Sequence, residues 1–153
     1  MHKQRTQQLQ AFCNWLGIEM HDLALLDMAL THTSYVHEAK GTPKPEHNER
    51  IEFLGDSVLG FITAEYLFEH YKDKPEGELT KKRAYAVCEK TLFGYAQKIG
   101  LGDMVLLGKG EERTGGRNRP SVISDAFEAL IAAIYLDGGI EKATEFVLPF
   151  YLS

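Results

Sequence analysis

Leu9, Phe12, Cys13 and Leu16 recur at i, i+3, i+4 and i+7, the repeat of one buried helical face, and Gly17 closes the stretch. Asp22 is placed to cap a second, short helix carrying Leu25, Leu26, Ala29 and Leu30. Gly41-Thr42-Pro43-Lys44-Pro45 reads as a loop. Beyond it the pattern predicts a long helix from about Asn48 to Tyr71, a break over Asp73 to Gly77, and further helix from Glu78 to about Ile99, interrupted near Lys90 or Thr91. The stretch from Gly100 to Pro120, rich in glycine and charge, predicts a mobile loop. Ser121 then starts a very apolar helix that stops at Asp137-Gly138-Gly139, and a last amphipathic helix carries Ala143, Phe146, Val147 and Phe150. No segment alternates cleanly with period two, so the expected fold class is all-α. The connections are too short to divide the chain, so residues 1–153 are expected to form one domain.

Composition narrows the class without naming a chemistry. The 153 residues suffice for one domain with its own core, and 44% hydrophobic with 25% charged residues is an ordinary globular mix. No apolar run approaches the roughly 20 residues that span a bilayer, and the N-terminal Met-His-Lys-Gln-Arg-Thr-Gln-Gln is no secretory signal, so the expected location is the cytoplasm, away from membranes. Cys13 and Cys88 lie far apart with no C-x-x-C, which predicts two reduced core thiols. The net charge of −5 speaks mildly against a nucleic-acid binder.

Two stretches carry carboxylates in informative places. Glu49, Glu52 and Asp56 are spaced i, i+3, i+7 and fall within roughly 60° of one another on a helix, opposite the apolar stripe of Ile51, Leu54, Val58, Phe61 and Ile62. Three like charges on one face repel by a few tenths of a kcal/mol per pair. A cation relieves that repulsion, although a solvated acidic face fits the same spacing. Between Arg119 and Asp137 the only charged residues are Asp125 and Glu128, one turn apart on a helix apolar enough to be buried on most sides. Buried carboxylates need a partner, either a metal ion or salt bridges from elsewhere in the chain. Hard oxygen donors with almost no histidine nearby suit Mg2+ or Mn2+ rather than zinc. A di-iron site is not expected, because no histidine has a glutamate three residues before it. His21-Asp22 matches a dipeptide of metal phosphohydrolases but reads as a helix start.

Asn48-Glu49-Arg50-Ile51-Glu52-Phe53-Leu54-Gly55-Asp56-Ser57-Val58-Leu59 resembles the bacterial ribonuclease III signature N-E-R-L-E-F-L-G-D-S-V-L, with Ile51 the one change. Ala29 to Tyr35, Glu76 to Thr80, the glycine-rich pieces Gly108 to Glu112 and Gly115 to Arg117, and Asp125 to Ile131 resemble further segments of that family in the same order. The resemblance implies a metal-dependent endonuclease that cuts double-stranded RNA, leaves 5′-phosphate and 3′-hydroxyl ends, serves RNA processing including that of rRNA, and works as a homodimer. It implies that Glu52, Asp125 and Glu128 hold Mg2+, with Mn2+ able to substitute. Asp56 and Glu128 are then directly catalytic, and Glu49 and Glu76 complete the acidic site through water or across the dimer. It places Phe53, an aromatic about 80° outside the core stripe, in the other subunit. Gly55 and Gly60 weaken the same helix and are candidates for close approach by a neighbouring element. Lys81, Lys82, Arg113, Arg117 and Arg119 are candidate phosphate contacts, each of which reads first as a solvated surface charge. The family carries a double-stranded-RNA-binding domain after the catalytic one, so a shortened chain is expected, with much of the basic surface in the part not present.

Overall fold

The computed structural model describes residues 1–152. Nine α-helices follow one another among them: α1 (Lys3–Leu16), α2 (Leu23–Ala29), α3 (Thr33–Glu38), α4 (Glu49–His70), α5 (Glu76–Ala86), α6 (Glu89–Lys98), α7 (Lys109–Arg113), α8 (Pro120–Gly138) and α9 (Ile140–Leu152). Short 3-10 turns at Leu101–Met104 and Gly116–Asn118 flank α7. The described residues contain no β-strand, only an isolated bridge between Thr31 and Leu106, so the fold is all-α. None of these helices is long and apolar enough to cross a membrane.

The centre of the fold is α8. Pro120 opens it at the first helical position, where a missing N–H costs nothing. From Val122 to Ile134 every residue except Asp125 is buried. A helix that apolar is stable only when enclosed. Here α2, α4, α6 and α9 pack around it. One buried cluster runs from Leu9 on α1 to Val147 on α9, with Phe127, Leu130 and Ile131 of α8 fully enclosed in it.

The helix ends are fastened by specific groups. Gly17, in the left-handed conformation at φ 74°, closes α1, as its position predicts. Asp22 accepts from the Ala24 N–H and starts α2, which settles His21-Asp22 as a helix start. The Asp137 carboxylate at the far end of α8 accepts from the His21 and Asp22 backbone N–H groups at 2.9 and 2.8 Å. Arg5 reaches from α1 to the Asp27 carboxylate and the Met104 carbonyl.

Three expectations need correction. The stretch from 100 to 120 is not a mobile loop. Leu101, Met104, Val105 and Leu107 are buried, Leu106 exchanges backbone hydrogen bonds with Leu30 and His32, and Arg117 donates to the carbonyls of Gly102 and Val105. Glycine and charge at these positions build a folded, cross-braced segment. The interruption in the second long helical stretch falls at Val87-Cys88, ahead of Lys90. There Thr91 turns its hydroxyl back to the Tyr85 carbonyl. Cys13 is a core thiol, but Cys88 is only half-buried, at the boundary just before α6, with its sulfur beside the Thr91 hydroxyl.

Candidate active site

The long helix α4 places Glu49, Glu52 and Asp56 in successive turns, and α8 places Asp125 and Glu128 one turn apart. These two helices meet backbone to backbone at Gly55. A Cβ built on Gly55 would lie 1.9 Å from the carbonyl oxygen of Glu128 and 2.5 Å from its carbon. Only glycine allows that approach. Gly60, by contrast, has nothing within 4 Å of where its Cβ would stand, so close approach explains the first glycine and not the second.

At this contact one carboxylate oxygen from each of Glu52, Asp125 and Glu128 lies within 4.8 Å of the others. The three differ in environment. Glu128 is buried, at 7% exposure. Glu52 is half-buried, and Asp125 is open to solvent on one side. Burial pushes the Glu128 carboxyl up to about 9; its hydrogen bonds with Asp56 and Glu52 and their negative charges act in the same direction. Asp125 is pushed up to about 6, first by partial loss of solvent and then by the charges of Glu52 and Glu89. Among the described residues none of these acids has a lysine, arginine or histidine within 4.0 Å, so salt bridges do not account for them. Without a cation, a proton is what makes Glu128 tolerable in its pocket.

The donor set fits a hard divalent ion. It consists of carboxylate oxygens, with no imidazole or thiolate in the group. Opposite ligands of Mg2+ stand about 4.2 Å apart, twice a bond of about 2.1 Å. The 4.8 Å span is therefore within a small side-chain adjustment of that arrangement.

Glu49 and Glu76 stand outside this group of three. Glu49 is the exposed first residue of α4, its backbone N–H directed at Nδ1 of His47. It borders a hollow of about 1040 Å³ that Met28, Val36, Phe53, Leu54 and Leu136 also line. Glu76 is the exposed first residue of α5 and accepts from the Thr80 hydroxyl at 3.1 Å. Thr80 in turn lines a groove with Asp56 and Arg83, so Glu76 is linked to the acidic face at one remove. Phe53 is 77% exposed on this single chain and Phe68 is also open; Phe61, expected in the apolar stripe opposite the acids, is exposed as well, so the buried stripe runs through Ile51, Val58 and Ile62 without it.

The candidate phosphate contacts divide. Arg117 is engaged with Glu112 and two backbone carbonyls, and Arg119 with Glu111 and Thr114, so both brace the segment before α8. Lys82 lies over the Tyr71 ring at 4.5 Å. Lys81 and Arg113 are exposed. One acid was missed altogether. Glu89, in the first turn of α6, adds its charge to the field at Asp125, and no local spacing marks it as part of the site.

An all-α fold holding a three-carboxylate group between two touching helices defines a class, and the comparisons agree on it. The ribonuclease-III-like family model matches residues 22–153, and the chain belongs to that family. It is 54% identical to ribonuclease 3 of Clostridium tetani over 139 residues, covering 90% of this chain and 58% of that protein. It is 46% identical to ribonuclease 3 of Moorella thermoacetica over 151 residues, covering 99% of this chain and 64% of that one. The chain thus spans about three-fifths of the length of these curated relatives. Among solved structures, the nuclease domain of ribonuclease III from Campylobacter jejuni superposes with a TM-score of 0.84 at 41% identity, covering 93% of this chain and 94% of that one.

Proposed function

We propose that residues 1–153 form the catalytic domain of a cytoplasmic, homodimeric endoribonuclease. It hydrolyses double-stranded RNA with Mg2+, or with Mn2+ in its place, leaves 5′-phosphate and 3′-hydroxyl ends, and serves RNA processing. The observation that carries the reading is Glu128: a buried carboxyl, grouped with Glu52 and Asp125, that has acids and no cation for neighbours. Family membership, and the nuclease domain it superposes on, supply the reaction class.

Glu52, Asp125 and Glu128 would hold the ion. When bound, it neutralises the acids, polarises the phosphoryl oxygen and makes water nucleophilic near neutral pH. Asp56, exposed and hydrogen-bonded with Glu128, is the acid that meets the phosphodiester and its attacking water. Glu128 serves both the ion and that proton network. Glu49 and Glu76 extend the acidic surface at the starts of their helices and act through water or across the dimer. Double-stranded RNA is recognised by its A-form shape, phosphates and 2′-hydroxyls, because side chains cannot read its deep major groove. Exposed Lys81 and Arg113 are the phosphate contacts this surface offers.

The dimer reading rests on Phe53. A phenyl ring standing 77% exposed beside an apolar hollow suits a two-fold contact in which each copy fills the hollow of the other. The Campylobacter jejuni structure was described in terms of a region involved in dimer formation, and the same behaviour is proposed here. Phe53→Ala is expected to move the protein toward monomer in sedimentation; an unchanged dimer removes Phe53 from the interface core.

The deciding experiment pairs a gel shift with a cleavage assay on one RNA duplex. Glu128→Gln keeps the side chain's shape but can never become the carboxylate that a bound ion would require, so cleavage should fall by orders of magnitude while duplex binding persists, with a steep salt dependence. Glu141→Gln, on α9 outside the acidic group, should change little. Cleavage by Glu128→Gln at the parent rate under saturating Mg2+ refutes the assignment. Joint loss of binding and cleavage in a folded variant makes Glu128 an RNA-positioning group instead.

A further inference from the structure

We infer that Asn48 is a positioning residue for the metal-binding acids: by fixing where α4 begins, it sets Glu52 against Asp125 and Glu128. The inference rests on the divalent-ion reading given above. Asn48 occupies the position just before α4 and is buried, at 5% exposure. An asparagine there ordinarily turns its side-chain oxygen onto an N–H of the first helical turn. This one makes no such bond. Its amide Nδ2 donates instead to the carbonyl of Ala29, the last residue of α2, at 3.1 Å. Its backbone N–H donates to the Thr31 carbonyl at 3.0 Å, and its own carbonyl accepts from the Glu52 N–H at 2.8 Å. Two bonds lead into the Ala29–Thr31 stretch, and the third leads directly to the backbone of a proposed metal ligand.

The same stretch is tied to the other acid-bearing helix. Helix α2 packs against α8. Leu106 donates to the Leu30 carbonyl and accepts from the His32 N–H, and Arg117, three residues before α8 begins, holds the carbonyls of Gly102 and Val105. The starts of α4 and α8 therefore hang from one segment, α4 through Asn48 and α8 through Leu106 and Arg117. The Gly55 contact sets how far apart the two helices lie. Asn48 sets how far α4 is rotated and slid along that contact, one turn ahead of Glu52. A Mg2+-type site tolerates little error in either, because its bonds must close near 2.1 Å in an octahedral arrangement.

The test reads bound Mn2+ by the loss of the free-ion EPR signal at 25 °C, on the whole chain and without RNA. Asn48→Ser keeps a small polar group but cannot span to the Ala29 carbonyl. Asn48→Asp keeps the volume, cannot donate when ionised, and adds a negative charge that by Coulomb attraction alone tightens a cation. Thr31→Val is the control: it deletes one buried hydroxyl bond in the same corner, to the Asp27 carbonyl, and leaves in place the Thr31 backbone carbonyl that accepts from Asn48. All three are expected to lower the metal-free melting temperature. Only the Asn48 variants are expected to raise the Mn2+ half-saturation concentration, ten-fold or more, and Asn48→Asp should do so against its own electrostatic effect. Thr31→Val should stay within two-fold of the parent. Each Asn48 variant that retains the parent's helical circular dichroism at 25 °C decides the matter by itself. Half-saturation within two-fold of the parent in either, or an equal weakening in Thr31→Val, overturns the role given to Asn48 while leaving the metal site standing. A parent protein that binds no Mn2+ overturns both.

Discussion

Replacing Gly55 with alanine adds one methyl group where α4 and α8 touch. The new Cβ would fall 1.9 Å from the Glu128 carbonyl oxygen, which belongs to helix backbone and cannot swing aside. Real Cβ atoms keep about 3 Å or more from such an oxygen, so the two helices must part by roughly 1 Å. Overpacking of this kind costs about 1–3 kcal/mol. Alanine is also the better helix former, by up to about 1 kcal/mol, so the two effects oppose. The steric term wins because the obstacle is rigid, and a net loss of about 1–2 kcal/mol lowers the melting temperature by roughly 2–8 °C for a chain of this size. The carboxylate group opens with the helices. Donor atoms already spanning 4.8 Å move away from the spacing an ion requires, and the Mg2+ or Mn2+ half-saturation should rise at least ten-fold. Gly60→Ala, five residues along the same helix and with open space around its Cβ, carries the propensity gain alone. It should raise the melting temperature by roughly 1–3 °C and leave ion binding unchanged. Scanning calorimetry with and without metal reads both variants. If Gly55→Ala melts at or above the parent temperature and binds the ion equally well, the close helix contact is not what shapes the site.

Glu128 and Asp125 both have raised folded-state values, about 9 and about 6, so the metal-free folded chain binds more protons than the unfolded one and loses stability as pH rises. In EDTA the melting temperature should drop between pH 5.5 and 8.5, by the equivalent of roughly 2–3 kcal/mol once solvent screening is discounted. Glu128→Gln should flatten that slope, and a slope unchanged by it would remove Glu128 as the source. The two thiols should also separate in a native labelling experiment with a disulfide reagent. Cys88, half-buried and with its value lowered by the Thr91 hydroxyl, should react promptly, whereas Cys13, buried with its value raised, should wait for unfolding. Prompt reaction of both would contradict the packing of α1.

The three grouped carboxylates were legible because their sources are local: Glu52 lies on an acidic helix face set by spacing, and Asp125 and Glu128 stand alone on an apolar helix. What spacing could not show was that Glu128 is buried while Asp125 keeps water, since that depends on which side of α8 faces α4. Gly55 and Gly60 look alike in sequence and differ only through the helix that crosses one of them. The segment from 101 to 107 was misread because its apolar residues have no regular repeat, and its fastening to Leu30, His32 and Arg117 joins distant parts of the chain. Asn48 lies inside the quoted signature, yet its bond to Ala29 crosses 19 positions, beyond the reach of any local pattern.

The position of α8 along the chain bears on how the protein emerges from a ribosome. Leu26, Leu59, Ile62 and Leu92 all belong to helices synthesised before it, and all are enclosed in a core whose centre is α8. Until about residue 138 has left the exit tunnel, these side chains lack their principal partner, and the nascent chain must hold a large apolar surface open or shield it with a chaperone. The same delay separates Glu52 from Asp125 and Glu128, so the first half of the acidic centre is translated well before the second. Because α8 leaves the tunnel only after further residues have been added behind it, a pause at any codon up to that point prolongs the sticky state and should lower soluble yield.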